Sequence, residues 1–131
     1  MASDVAVAVG VLIDDESRVL ITRRADDAHQ GGLWEFPGGK IESGESVHQA
    51  LARELAEELG AKVEQSKFLL EIVHDYGDKR VRLLVHLVTA WCGEPYGAEG
   101  QPLAWVNVSG LERYRFPDAN AAIVECLQRL C

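Results

Sequence analysis

The chain has 131 residues, with 13 lysines and arginines against 21 aspartates and glutamates, for a formal net charge of -8 at pH 7. That balance excludes non-specific binding to a nucleic-acid polymer, which needs basic surface to displace counterions, but leaves open an acidic site that meets polyphosphate through metal ions. The length suits one domain, 1–131, and the cysteines Cys92, Cys126 and Cys131 are odd in number without metal-ligand spacing, as small buried thiols of a reducing cytosol would be.

Val5 to Ile13 is valine-rich and alternates with small residues, the pattern of a strand buried on both faces. It is too short to span a bilayer and no basic residue precedes it, so the reading is a cytoplasmic protein with no membrane partner. Asp14-Asp15-Glu16-Ser17 is a polar turn, and Val19 to Thr22 is expected to pair with the first strand as a hairpin. Arg23 and Arg24 end it, either solvated or touching a ligand. Ala25 to Gly32, with Asp26, Asp27 and His29, is a polar loop, either a lid or an ordinary connection. Leu33 to Phe36 is a brief strand leading into the Pro37-Gly38-Gly39 turn, where glycine lets backbone approach a ligand and a carbonyl can join a metal shell. Lys40 would stand beside a phosphate or simply cover surface.

From Gly39 to Ala61 a loop feeds directly into a helix rich in Ala, Leu and Glu. Glu45 and Ser46 suit its start and Gly60 its end. Val47, Ala50, Leu51, Leu55 and Leu59 form one apolar stripe, and Glu54, Glu57 and Glu58, at i, i+3 and i+4, overlap that stripe instead of lying opposite it. Like charges at this spacing repel, and partial burial raises the cost. Either some carboxylates are protonated, or a multivalent cation such as magnesium or manganese holds them. Arg53, four residues before Glu57, is placed to orient the row.

Phe68 to His74 and Val81 to Ala90 read as long antiparallel strands joined at Asp75-Tyr76-Gly77-Asp78-Lys79. Trp91 to Gly100 is a glycine-rich loop carrying Glu94 and Glu99, either wet or returning to the helix face. Leu103 to Val108 is a further strand, Ser109 a cap for a short turn, and Asp118 an N-cap for a final helix from Ala119 to Leu130, with Asn120 one turn inside. His29 and His48 have no partners at metal-ligand spacing and read as structural or solvated. Short hairpins argue against a fully parallel sheet, leaving an α/β (α+β) domain with a mixed sheet between helices.

The stretch Gly39, Glu45, Arg53, Glu54, Leu55, Glu57, Glu58 and Gly60 resembles the Nudix box, G-x5-E-x7-R-E-U-x-E-E-x-G-U, in which U is a bulky apolar residue. Ala61 departs from it, being smaller than the usual last residue. Ile21 to Ala25, Ala28-His29, Glu35 to Lys40, Gly93-Glu94-Pro95, Glu99 to Pro102 and Phe116 to Asn120 are further similar to the MutT branch of that family. The resemblance implies an α/β/α sandwich and metal-dependent hydrolysis of nucleoside triphosphates to monophosphate and pyrophosphate, chiefly of 8-oxo-dGTP, by a monomer. It implies metal ligation by the Gly38 carbonyl, Glu54, Glu57, Glu58 and Glu99, with Glu54 either general base or a further ligand. It also implies base recognition by Asn120, stacking or shape contacts by Phe36, and nucleotide contacts by Arg24. Departures at Asp26, Gln30, Gly31, Gly32 and Trp34 leave the loop contacts open. A CTP or methylated-pyrimidine pyrophosphohydrolase is the nearest rival, and a non-catalytic Nudix-like recognition module the more distant one.

Overall fold

The computed structural model describes residues 3–24 and 31–130. Along the chain run β1 (Ser3–Leu12), β2 (Arg18–Arg23), β3 (Trp34–Glu35), β4 (Gly38–Lys40), α1 (Val47–Leu59), β5 (Lys62–Asp75), β6 (Lys79–Cys92), β7 (Leu103–Asn107) and α2 (Ala121–Leu130), with 3-10 turns at Val108–Arg113 and Asp118–Asn120. Four strands form a mixed sheet in the order β4-β1-β6-β5, in which β1 runs parallel to β6 and antiparallel to β4. The expected mixed sheet is therefore present. A second, antiparallel sheet, β3-β2-β7, accompanies it.

The second sheet corrects the expected β1–β2 hairpin. Both edges of β1 are taken, one by β4 and one by β6, so β2 has no backbone edge to join. Only the single bridge Ile13↔Val19 links the two runs before β2 pairs with β3 and β7. Asp14 makes the turn, its Oδ1 accepting from the Glu16 and Arg18 amides at 3.0 and 2.9 Å. A second correction concerns Pro37-Gly38-Gly39, whose glycines belong to β4 and lie against Val9 and Ala8. A Cβ on Gly38 would collide with the Ala8 carbonyl oxygen, so the close strand approach excludes a larger residue.

The residues of β1 alternate between two cores, as a strand buried on both faces should. Val9 and Val11 pack with Val85, Ile123 and Leu127 on the α2 side, while Ala8 and Leu12 pack with Leu51, Leu55 and Leu59 on the α1 side. Small residues on that second face let the helix lie close. A Cβ added to Gly10 would stand 2.9 Å from Leu51 Cδ1 and 3.3 Å from Leu55 Cδ2.

Local chemistry sets the limits of α1. Ser46 is the N-cap and forms a capping box, its Oγ accepting from the Gln49 amide at 3.1 Å while Gln49 Oε1 accepts from the Ser46 amide at 2.8 Å. Gly60 closes the helix in the left-handed region, φ 65°, and donates to Ala56 O. Ala50, Leu51, Leu55 and Leu59 of the expected stripe are buried and Val47 is half-buried.

The β5–β6 hairpin is longer than the apolar runs implied, and its tip turns at Gly77 with φ 94°. Two C-terminal expectations change. Ser109 lies inside a 3-10 turn that has no side-chain cap, and Asp118 opens another, so α2 starts at Ala121 instead of Ala119. Cys92 is exposed at the end of β6, not buried, and Cys126 is half-buried. The expectations for residues 25–30, including His29, and for Cys131 lie outside the described residues. Among the described residues no helix is long and apolar enough to cross a membrane.

Gly10→Val would force Leu51 and Leu55 away from the sheet. The expected cost is about 1–3 kcal/mol of overpacking, read as a lower urea midpoint at unchanged m-value.

Candidate active site

With the leucine stripe of α1 turned onto the sheet, its carboxylates divide by environment. The Glu54 side chain is 18% exposed and that of Glu57 is 57% exposed. Glu58 points inward, and its Oε2 is buried with no hydrogen-bond partner. Three carboxylates were expected at the core edge; two are there, and Glu57 has turned to solvent because it lies furthest round the helix from the buried leucines. Burial pushes the Glu58 carboxyl up to about 9, helped by hydrogen-bonding contact with Glu54 and by the charges of Glu54, Glu99 and Glu35. Backbone of β4 lies directly against Glu54, since a Cβ on Gly39 would collide with its carboxyl group.

Arg53 is the hub of this end. Its Nε and Nη2 donate to Glu45 Oε2 and Oε1 at 2.9 and 3.0 Å, its Nη1 to Glu54 Oε1 at 2.8 Å, and its Nη2 also to the Lys40 carbonyl at 3.0 Å. Glu57 is only a distant partner at 3.9 Å. The expected tie along the helix thus gives way to a tie between helix and loop, because Glu45 offers a bidentate carboxylate that a neighbour one turn away in water cannot match. Hydrogen bonding from Arg53 comes first among the causes that hold the Glu45 carboxyl down to about 2, followed by the Glu42 backbone contact.

The loop after β6 completes the acidic compartment by satisfying the last carbonyls of α1. Tyr96 N donates to Leu59 O and Ala98 N to Glu58 O, each at 3.0 Å, and Gln101 Nε2 donates to Glu58 O at 2.8 Å. Gln101 Oε1 accepts from the Glu99 amide at 2.9 Å, which brings Glu99 to the same cavity of about 330 Å³ as Glu58. Glu94 is exposed. Arg24 reaches this cavity too, its Nε and Nη2 each 3.0 Å from Glu35 Oε1. Burial raises the Glu35 carboxyl, opposed by the charge and hydrogen bond of Arg24. Glu54 is drawn to Arg53 and Glu57 faces water; among the described residues no three acidic, histidine or cysteine groups are gathered into a ready metal cage.

A second compartment adjoins the first through Arg24 and Glu35. Phe36, Gly38, Gly39, Lys40 and Asn120 line a cavity of about 180 Å³, which continues past Arg24, Val7, Leu83 and Asn120 into one of about 400 Å³ reaching Tyr76 and Lys79 at the hairpin tip. Arg24, Phe36, Lys40 and Asn120 are thus brought together. Phe36 is a wall and not a free stacking platform: it is 3% exposed and stacks on Phe116 at 5.4 Å. His48 lies elsewhere, its Nδ1 2.8 Å from Ser66 Oγ, which in turn is 3.0 Å from His86 Nδ1.

Residues 8–126 match the family model described as NUDIX domain. The chain belongs to the NUDIX family. It is 42% identical over 124 residues to the 8-oxo-dGTP diphosphatase of Escherichia coli K12, covering 95% of this chain and 96% of that protein. The CTP pyrophosphohydrolase of the same organism is 30% identical over 122 residues, covering 93% of this chain and 90% of that one. A solved MutT structure, from work on the Aliivibrio salmonicida and Vibrio cholerae proteins, superposes with a TM-score of 0.86 at 38% identity, over 98% of this chain and all of that one, the covered share being 100%. The family and fold implied by the sequence motif are therefore borne out. Sequence reading passed over three residues of this NUDIX site: Glu45 as the partner of Arg53, Glu35 as the partner of Arg24, and Gln101 as the brace of Glu99. Strand alternation between Trp34 and Phe36 was a usable signal for Glu35, whereas nothing local marked Gln101.

The Glu45–Arg53 pair yields a pH test with a definite sign. A carboxyl depressed in the folded state stabilises fully above its unfolded value, about 4.3, and that contribution is lost as pH falls through its folded value, about 2. The gap in urea midpoint between the native chain and Glu45→Gln should be constant at neutral pH and close progressively across that acid window. A gap independent of pH would mean that Glu45 acts by shape and not by charge.

Proposed function

We propose that this chain is a divalent-metal-dependent nucleoside triphosphate pyrophosphohydrolase of the MutT type, a cytoplasmic monomer that removes 8-oxo-dGTP from the nucleotide pool. The observation that carries the reading is the joined cleft, in which an open acidic compartment leads past Arg24 into a compartment bounded by Asn120. NUDIX hydrolases generally need a divalent metal, and the chemistry of the donors here suits one: Glu58 Oε2 is a buried carboxyl oxygen without a hydrogen-bond partner, and its neighbouring acids are hard oxygen donors. Glu57, Glu58, Glu99, the Gly38 carbonyl and Glu54 are the residues assigned to hold magnesium, or manganese in its place. When bound, such an ion neutralises phosphate oxygens and makes a bound water more acidic.

The side chains divide the remaining work. Glu54, whose Oε1 accepts from Arg53 Nη1, is assigned either as the base that takes a proton from the attacking water or as a further metal ligand. Attack at the β-phosphorus breaks its bond to the α-phosphate oxygen, giving monophosphate and pyrophosphate. Arg53 holds Glu54 from the loop side, and Arg24, fixed by Glu35, stands where the two compartments meet. Lys40 lines the wall beside Gly38 and Gly39 and supplies positive charge for phosphate. Neither a nucleic-acid polymer nor a membrane enters this reading, and the intact acidic set argues against a non-catalytic recognition module.

Asn120 is assigned to the base. 8-oxoguanine carries a proton on N7, so one amide can accept from N7–H and donate to O6. Guanine presents acceptors at both positions, leaving the amide with one unmatched contact at about 1–3 kcal/mol. The CTP reading rests only on the more distant relative.

Two measurements test the proposal. Glu58→Gln removes an acid whose charge is disfavoured by burial, so the metal-free protein should unfold at the same or a higher temperature while the rise in Tm on adding magnesium is lost. An undiminished rise removes Glu58 from the ligand set. Asn120→Ala should lower kcat/KM for 8-oxo-dGTP by about a hundredfold or more while changing that for dGTP little. A native enzyme that prefers CTP over 8-oxo-dGTP, or a variant that keeps the preference for the oxidised base, overturns the assignment.

A further inference from the structure

The segment that carries Glu99 is anchored on both sides of that residue. Before it, the Tyr96 and Ala98 amides donate to the Leu59 and Glu58 carbonyls at the end of α1; after it, the Pro102 carbonyl accepts from the Arg23 amide of β2 at 3.1 Å. Between these anchors the chain reverses in a tight turn, in which Gly100 N donates to Gly97 O at 2.9 Å and Gly100 takes φ 83°. The return is so close that a Cβ on Gly97 would collide with the Gln101 carbonyl oxygen. Glu99 stands at the third position of the turn and is exposed, so packing does not fix the direction in which its side chain leaves the backbone. Its amide donates to Gln101 Oε1 at 2.9 Å, and the same Gln101 side chain donates through Nε2 to Glu58 O at 2.8 Å. One planar group thus joins the backbone of one acid to the backbone of the other, and all three residues line the acidic cavity.

We propose that, given the ligand roles assigned above to Glu58 and Glu99, Gln101 is a positioning residue: its amide sets the placement of Glu99 relative to Glu58 and thereby the affinity of the pair for a divalent cation. The two acids belong to separate elements, Glu58 to α1 and Glu99 to the loop after β6, and the backbone anchors hold the loop without fixing the glycine-flanked turn between them. An amide suits the task because one end accepts and the other donates. A carboxylate at position 101 could accept from Glu99 but not donate to Glu58, and an ammonium could do only the reverse. Groups that orient metal-binding side chains commonly change metal affinity by about ten- to a hundredfold when removed.

The test measures manganese binding to the substrate-free full chain by water-proton relaxation in four proteins: native, Gln101→Met, Glu99→Gln and the double variant. Gln101→Met keeps the length of the side chain and removes both hydrogen bonds. Exchange of the Glu99 amide with deuterium should then accelerate by about tenfold, with the far-UV circular dichroism unchanged. The manganese dissociation constant should rise by about tenfold or more in Gln101→Met, yet the same substitution should change it by less than about twofold when Glu99→Gln is already present. Gln101→Asn, one methylene too short to keep both bonds at these distances, should behave like Gln101→Met. Unchanged manganese affinity in Gln101→Met overturns the proposal, and so do equal factors in the two backgrounds, which would make Gln101 a general support of the loop. Unchanged affinity in Glu99→Gln overturns it differently, by removing Glu99 from the ligand set.

Discussion

Ala8 and Gly10 leave room on one face of β1 for Leu51 and Leu55 to reach the sheet, and that contact sets the rotation of α1 about its axis. Once the leucines face the sheet, helical geometry determines the place of each carboxylate: Glu58 goes inward, Glu54 to the flank against Gly39, and Glu57 to solvent. The opposite face of β1 carries Val9 and Val11 into a separate core with α2, so the strand transmits no slack between the two sides. A small-residue face and a large-residue face on one strand thus position an acidic helix against a glycine strand. Packing, and not any attraction among the acids, brings the carboxylates together.

Electrostatics then separates acids that composition alone treats as equal. Glu45 meets both branches of the Arg53 guanidinium and stays ionised far into acid, whereas Glu58, buried among Glu54, Glu99 and Glu35, is pushed the other way. Arg24 does for Glu35 part of what Arg53 does for Glu45, but burial outweighs it there. Each arginine pins an acid next to the cleft while leaving Glu58 without compensation. Burial with no arginine to offset it therefore leaves the Glu58 carboxyl favouring its protonated form, in contrast to Glu45.

Much of this was legible in the residues. The apolar stripe and Gly60 marked α1, Ser46 marked its start, and the spacing of Arg53, Glu54, Glu57 and Glu58 marked the site, because helix geometry is local and periodic. What escaped notice depended on competition between distant segments. The Val19 to Thr22 run reads like half of a hairpin until both edges of β1 are found to be occupied by β4 and β6. Arg53 reads like a partner of Glu57 until the loop returns Glu45 to it. Gln101 gave no warning at all, since its role is to satisfy a helix carbonyl and brace Glu99, two groups that only the folded chain brings near it.

The separation of the two compartments by elements has a consequence for how such a site can diversify. The acids sit on α1 and on the loop that closes its end, anchored in the core on one face of the mixed sheet, while Asn120 sits on a 3-10 turn leading into α2, anchored in the core on the other face. Substitutions around Asn120 therefore perturb a different set of packed side chains from those that orient Glu54 and Glu58, and well-separated sites of this kind combine nearly additively. Arg24 is the exception. It lines the acidic cavity and both parts of the second compartment, and its guanidinium is committed to Glu35. A change that shifted Arg24 would move the charge next to Glu58 as well, and Glu35, which also lines both cavities and holds Arg24, would move with it.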